Sequence, residues 1–216
     1  MSYQDIIKEI PKDVTLVAVS KTKPVEELLK IYNQGQRIFG ENKVQEMCDK
    51  QQVMPNDIEW HLIGHLQTNK VKYIAPFVKL IHAVDSLKLL AEINKQALKN
   101  NRTIDCLLQF HIAEEKTKFG LDFSEAEQVL ESVEFKNFNN IRICGVMGMA
   151  TFTENEQQIR SEFKTLKHYF DTLKSNFFQN ADYFSVISMG MSGDYQLAIE
   201  EGSTMVRIGS LIFGSR

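Results

Sequence analysis

The sequence predicts an α/β protein, a single parallel (β/α)8 TIM barrel. Eight apolar, strand-like runs alternate with helical segments almost to the end of a chain of 216 residues, as a one-domain barrel requires. The first run ends Ser20-Lys21-Thr22-Lys23-Pro24, with no glycine. An open doubly wound sheet would want a phosphate-binding glycine loop at that point.

The elements follow in order. Residues 14–20 are nearly all small or aliphatic, and Pro24 then suits the first turn of a helix over 24–33. Residues 37–40 and 59–64 form the second and third runs, and 80–85 the fourth. Ser86 can cap a helix that closes on Asn100. Residues 104–112 and 141–149 form the fifth and sixth runs. All are rich in Val, Ile, Leu and Phe, as strands buried on both faces should be. A long helix over 154–176 carries Ile159, Phe163, Leu166, Phe170 and Leu173 at helical spacing, a stripe for packing on the barrel. Residues 183–188 and 205–209 complete the strands. The whole chain, 1–216, reads as one domain, with no linker, repeat or low-complexity tract.

Net charge is −3 and the basic residues are scattered, so nucleic acid is not an expected partner. No apolar run approaches the length of a membrane span, and the N-terminus lacks a signal-peptide core. Three cysteines without CxxC spacing argue for a reducing compartment, and a cytoplasmic protein follows. The histidines show no metal-site spacing, and no HExxH, GxSxG or Walker motif occurs; no metal is expected.

Chemistry concentrates at strand ends. Lys21 follows an apolar strand, which puts it at a barrel mouth, where barrel active sites are built. A partly desolvated lysine has its pKa lowered and can attack an aldehyde. Lys23 is the nearby competitor, although Pro24 pushes it toward a helix start. Phosphate commonly binds in the loops after the last two barrel strands. Here those loops hold Ser188, Ser192 and Gly193 on one side and Gly209 with Ser210 on the other. Ser192 could instead simply cap the next helix. Together, a lysine and a phosphate cradle point to pyridoxal 5'-phosphate (PLP) held as a Schiff base. Arg207 sits inside the apolar stretch Met205-Val206-Arg207-Ile208. It is either half of a structural ion pair or a donor to a ring nitrogen of the cofactor, which it would keep unprotonated. Asn42, His61, His82 and His111 are further polar residues in or after strands.

Six segments in order match one family. They are 18–24 (AVSKTKP), 39–46 (FGENKVQE), 61–70 (HLIGHLQTNK), 145–149 (GVMGM), 188–192 (SMGMS) and 202–209 (GSTMVRIG). Over essentially its whole length the chain resembles the pyridoxal phosphate homeostasis proteins, which are alanine racemase N-terminal-domain-like. The resemblance implies PLP on Lys21. It implies phosphate contacts from the 188–192 loop and from Gly209 and Ser210, and Arg207 facing the pyridine nitrogen. It also implies a cytoplasmic carrier in vitamin B6 homeostasis with no established catalysis, whose recipients would be PLP-dependent apoenzymes. One departure is His111, where the family commonly has an asparagine; Lys118 keeps the family's lysine.

The alternative is a PLP-dependent amino-acid racemase. Racemisation needs proton donors and acceptors on both faces of the substrate. Alanine racemases draw one from a second, β-rich domain, and this chain stops right after its eighth strand. The carrier is therefore the expectation, and the absence of a long exposed apolar stripe favours a monomer.

Overall fold

The computed structural model describes residues 2–115 and 119–214. Its eight strands are β1 (Thr15–Val19), β2 (Ile38–Glu41), β3 (Glu59–Leu62), β4 (Leu80–Val84), β5 (Ile104–Phe110), β6 (Ile141–Gly148), β7 (Val186–Ser188) and β8 (Met205–Ile208). They pair in parallel in chain order and close by β1–β8 pairing, with Val17 opposite Arg207. Each expected strand run overlaps one of them, with no end moved by more than three residues.

The helices are α1 (Tyr3–Glu9), α2 (Val25–Tyr32), α3 (Val44–Gln51), α4 (Val71–Ile74) after a 3₁₀ turn, α5 (Leu87–Lys99), α6 (Phe123–Glu131), α7 (Val133–Lys136), α8 (Glu156–Phe177), α9 (Tyr195–Glu200) and α10 (Ser210–Phe213). Their starts follow from local chemistry. The Ser86 hydroxyl accepts from the Leu89 N–H, and Asp122 and Glu125 form a capping box. Pro24 stands just before α2 rather than inside it. In α8, Ile159, Phe163, Leu166 and Leu173 are buried, and half-buried Phe170 stacks on Phe184 at 4.9 Å.

Strand alternation separates two layers. Leu16, Ala18, Phe39, Trp60, Leu62, Val206 and Ile208 pack outward against the helices. Val17, Leu80, Ala83, Leu107, Cys144, Met147 and Met205 fill the barrel interior. That inner layer closes the floor and leaves the strand carboxyl ends for polar side chains. No helix among the described residues is long and apolar enough to cross a membrane.

Candidate functional site

A cavity of about 580 Å³ opens at the carboxyl ends of the strands. Lys21, Asn42, Ser192, Arg207, Gly209 and Ser210 all line it, although they are spread from residue 21 to residue 210. Ser188 does not. It is fully buried one layer deeper, where its Oγ accepts from an Arg207 N–H at 2.6 Å.

Lys21 enters the cavity by strand periodicity. Val17 points into the barrel and Val19 lines the cavity, so Lys21 continues the same face. Lys23 is occupied elsewhere. Its Nζ donates to the Phe213 carbonyl at 2.8 Å, at the C-terminal end of α10, where a cation complements the helix end.

Arg207 reaches the cavity from the neighbouring strand, β8. It is 4% exposed, and among the described residues it makes no ion pair. One N–H goes to Ser188 and another to the Gly148 carbonyl at 3.0 Å. Burial lowers its pKa to about 10, offset in part by Asp194, so it is still charged at neutral pH. The ion-pair alternative for Arg207 has no partner here.

The two phosphate-candidate loops meet directly. Ser192 does not cap α9; its Oγ accepts the Gly209 N–H at 3.2 Å. Gly209 is constrained by the fold as well as open to a ligand. A side-chain carbon there would lie 3.0 Å from the Val19 carbonyl and 3.2 Å from its Cβ. Gly193, in contrast, has open space around it.

Other lining residues were not expected. Gln109 follows Leu107 on the inner face of β5, and its amide donates to the Phe119 carbonyl at 3.0 Å. Alternation from Leu107 was the available signal. His65 also lines the cavity and stacks on Phe119 with ring centroids 4.1 Å apart. His111 does not line it, and Lys118 lies outside the described residues. Among the described residues no group of three His, Cys, Asp or Glu could hold a metal ion.

Below the cavity a polar chain crosses the barrel. His82 Nδ1 lies 3.0 Å from Ser188 Oγ, and His82 Nε2 lies 3.0 Å from His61 Nδ1. Arg207 can only donate. The Ser188 hydroxyl then donates to His82 Nδ1 and His82 Nε2–H donates to His61 Nδ1, an arrangement in which both imidazoles are neutral. Burial favours that state: His61 falls from its ordinary 6.5 to about 3, and His82 falls well below 6.5 for the same reason. A depressed folded pKa contributes stability above the unfolded value that is lost as pH falls. The fold is therefore expected to weaken from pH 6.5 downward, by about 2 kcal/mol through His61 alone at pH 5. Melting temperature against pH checks this. His61→Asn, which keeps an acceptor but does not titrate, should flatten the slope between pH 7 and 5; an equally steep slope would assign the loss to other groups.

The chain matches the family described as "Alanine racemase, N-terminal domain" over residues 3–216. It is 41% identical to the pyridoxal phosphate homeostasis protein of Aquifex aeolicus over 203 residues, 93% of this chain and 86% of that one. Identity to the protein of the same name from Vibrio alginolyticus is 39%, covering 95% and 88%. Among solved structures, PipY of Synechococcus elongatus with PLP bound superposes with a TM-score of 0.88 at 31% identity, covering 98% of this chain and 97% of PipY. An alanine racemase of Clostridium difficile superposes at 0.82 with 14% identity, a likeness of fold, with this chain spanning 58% of its length. The chain thus belongs to the pyridoxal phosphate homeostasis protein family, on the barrel of the alanine racemase N-terminal domain.

Proposed function

We propose that this protein binds PLP in the 580 Å³ cavity and serves as a carrier in vitamin B6 homeostasis rather than as a racemase. When bound, PLP supplies an aldehyde that condenses with an amine and a ring that can draw electrons from it. The observation that carries the reading is that Lys21 and Arg207, from the adjacent strands β1 and β8, face one cavity. Lys21 is the amine for the Schiff base. Ser192, Gly209 and Ser210 offer a hydroxyl pair and backbone N–H groups at the start of α10 for the phosphate. Asn42 lines the same cavity.

Several features of the cavity fit this group. A buried guanidinium that makes no ion pair among the described residues welcomes an anionic ligand. Gly193 leaves room where the two loops meet. Arg207 can offer a hydrogen bond to a ring nitrogen and cannot accept one, so that nitrogen stays unprotonated and the bound cofactor is a poor electron sink. Ser188 serves indirectly, by holding the guanidinium. In this reading the 216 residues act as one domain, as a cytoplasmic monomer that passes PLP to PLP-dependent apoenzymes.

Borohydride reduction of the PLP-loaded protein, followed by mass mapping, tests the assignment. The pyridoxyl label should sit on Lys21; a label on Lys23 or Lys118 would overturn it. The phosphate cradle has its own test. A Cβ at Gly193 meets no atom within 4 Å, so Gly193→Val is expected to fold normally and to intrude on the ligand. It should weaken PLP by about tenfold, the worth of one charge-assisted hydrogen bond, and leave unphosphorylated pyridoxal almost unchanged. Equal losses for both ligands would move the phosphate elsewhere. Gly209→Val would not discriminate, because it also presses on the strand that leads to Lys21.

A further inference from the structure

Behind Lys21, on the helix side of β1, lies a buried charged cluster that the cavity does not include. Alternation turns Ser20 away from the barrel interior, between inward Val19 and inward Lys21. The Ser20 hydroxyl donates to Glu41 Oε1 at 2.6 Å. Lys50, on α3, donates to the same Glu41 oxygen at 2.7 Å, to the Ser20 carbonyl at 2.7 Å and to Glu46 Oε1 at 2.8 Å. That uses all three ammonium protons. Glu46 Oε1 in turn accepts the Thr22 N–H at 2.5 Å. The peptide groups on both sides of Lys21 are thus held by Lys50 and Glu46 of α3, and Glu41 at the end of β2 holds the Ser20 hydroxyl and Lys50.

Two further facts show that the local backbone needs holding. Thr22 has φ of 64°, a left-handed conformation that a non-glycine residue adopts at a cost. The Glu41 side chain is fully buried, that of Lys50 is 7% exposed, and Glu41 Oε2 has no hydrogen-bond partner among the described residues. Burial raises the Glu41 pKa, and the contacts with Lys50 and Ser20 oppose the rise. Buried ion pairs of this kind are poor stabilisers compared with apolar packing, so a role in setting geometry is the better account of this one.

We propose that Lys50, with Glu41 and Glu46, is a positioning device for Lys21: it fixes residues 20–22 so that the Lys21 amine meets the aldehyde. The inference rests on the assignment of Lys21 made above. Lys50→Met/Glu41→Met removes both buried charges together and avoids leaving one unpaired. The probes are PLP and pyridoxine 5'-phosphate, which has the same ring and phosphate with an alcohol in place of the aldehyde. Capture of PLP should weaken by about tenfold to a hundredfold, the scale of a misplaced reacting group. Binding of pyridoxine 5'-phosphate should stay within about twofold of wild type, since it needs no amine. Glu46→Ala, at a half-buried position, frees the Thr22 N–H and one of the three Lys50 contacts while leaving the Glu41 pair in place, and should give a smaller loss of the same kind. Equal losses for both ligands in folded variants would make the cluster a general support of the mouth and overturn the proposal. Unchanged PLP capture would overturn it too. If the wild-type label is not on Lys21, the cofactor assignment itself fails; if it is on Lys21 and the variants behave as wild type, the positioning role fails alone.

Discussion

Lys21→Ala is expected to abolish covalent capture of PLP. Borohydride should then fix no pyridoxyl group on the protein, and the visible absorbance of the bound cofactor should disappear. The phosphate and ring contacts remain, so PLP should still bind, about a hundredfold more weakly, a loss of roughly 3 kcal/mol. The fold should survive. Lys21 is half-buried at the mouth, outside the apolar layers, and truncations at such positions change stability by about 1 kcal/mol or less. Dialysis against borohydride-treated and untreated samples, with mass mapping, reads the result. Persistent labelling of the variant on another lysine would mean that the cavity's reactive amine had been misidentified.

Arg207→Glu is expected to have the largest effect on stability. It puts a carboxylate where the Gly148 carbonyl already accepts and where the Ser188 hydroxyl and both histidines depend on a donor. Reversing a fully buried charge without a new partner should cost about 3–5 kcal/mol. Calorimetry checks the magnitude. Arg207→Gln separates the electronic role from the structural one. Its amide can still donate to Ser188 or to the Gly148 carbonyl, so the protein should fold, while the charged donor to the ring is gone. Bound PLP should then show a shifted absorbance, and the protein should become more reactive toward amino acids as the ring nitrogen is free to protonate. An unchanged spectrum in the folded Gln variant would end the proposed contact between Arg207 and the ring.

The barrel was legible from residue order because its signals are local. Runs of β-branched and aliphatic residues can be buried on both faces only as inner strands of a helix-covered sheet. Ser86 and Pro24 mark helix starts through hydrogen-bonding and φ constraints that act within a few residues. Lys21 could be singled out because it directly follows such a strand, and the paired loops around Ser192 and Gly209 because barrels gather their last loops at one end.

The remaining features depend on which strands are neighbours and how they are staggered. Ser188 looks from its loop like a ligand, yet the end of β7 turns it beneath Arg207, where it supports the guanidinium. His61 and His82 each stand alone in an apolar strand; pairing of β3 with β4 brings their ring nitrogens to 3.0 Å, and burial inside the barrel keeps both neutral. Ser192 trades a helix cap for the Gly209 N–H, a choice made across two loops. Glu41, Glu46 and Lys50 are ordinary surface-type residues in the chain, and closure of α3 over the ends of β1 and β2 buries Glu41 and Lys50 and half-buries Glu46 around the Lys21 backbone. Composition and periodicity thus determine the layers and the strand ends, since burial acts on one residue at a time. Which polar groups meet there is decided by the register of the closed barrel, because a hydrogen bond requires two atoms to arrive within about 3 Å of each other.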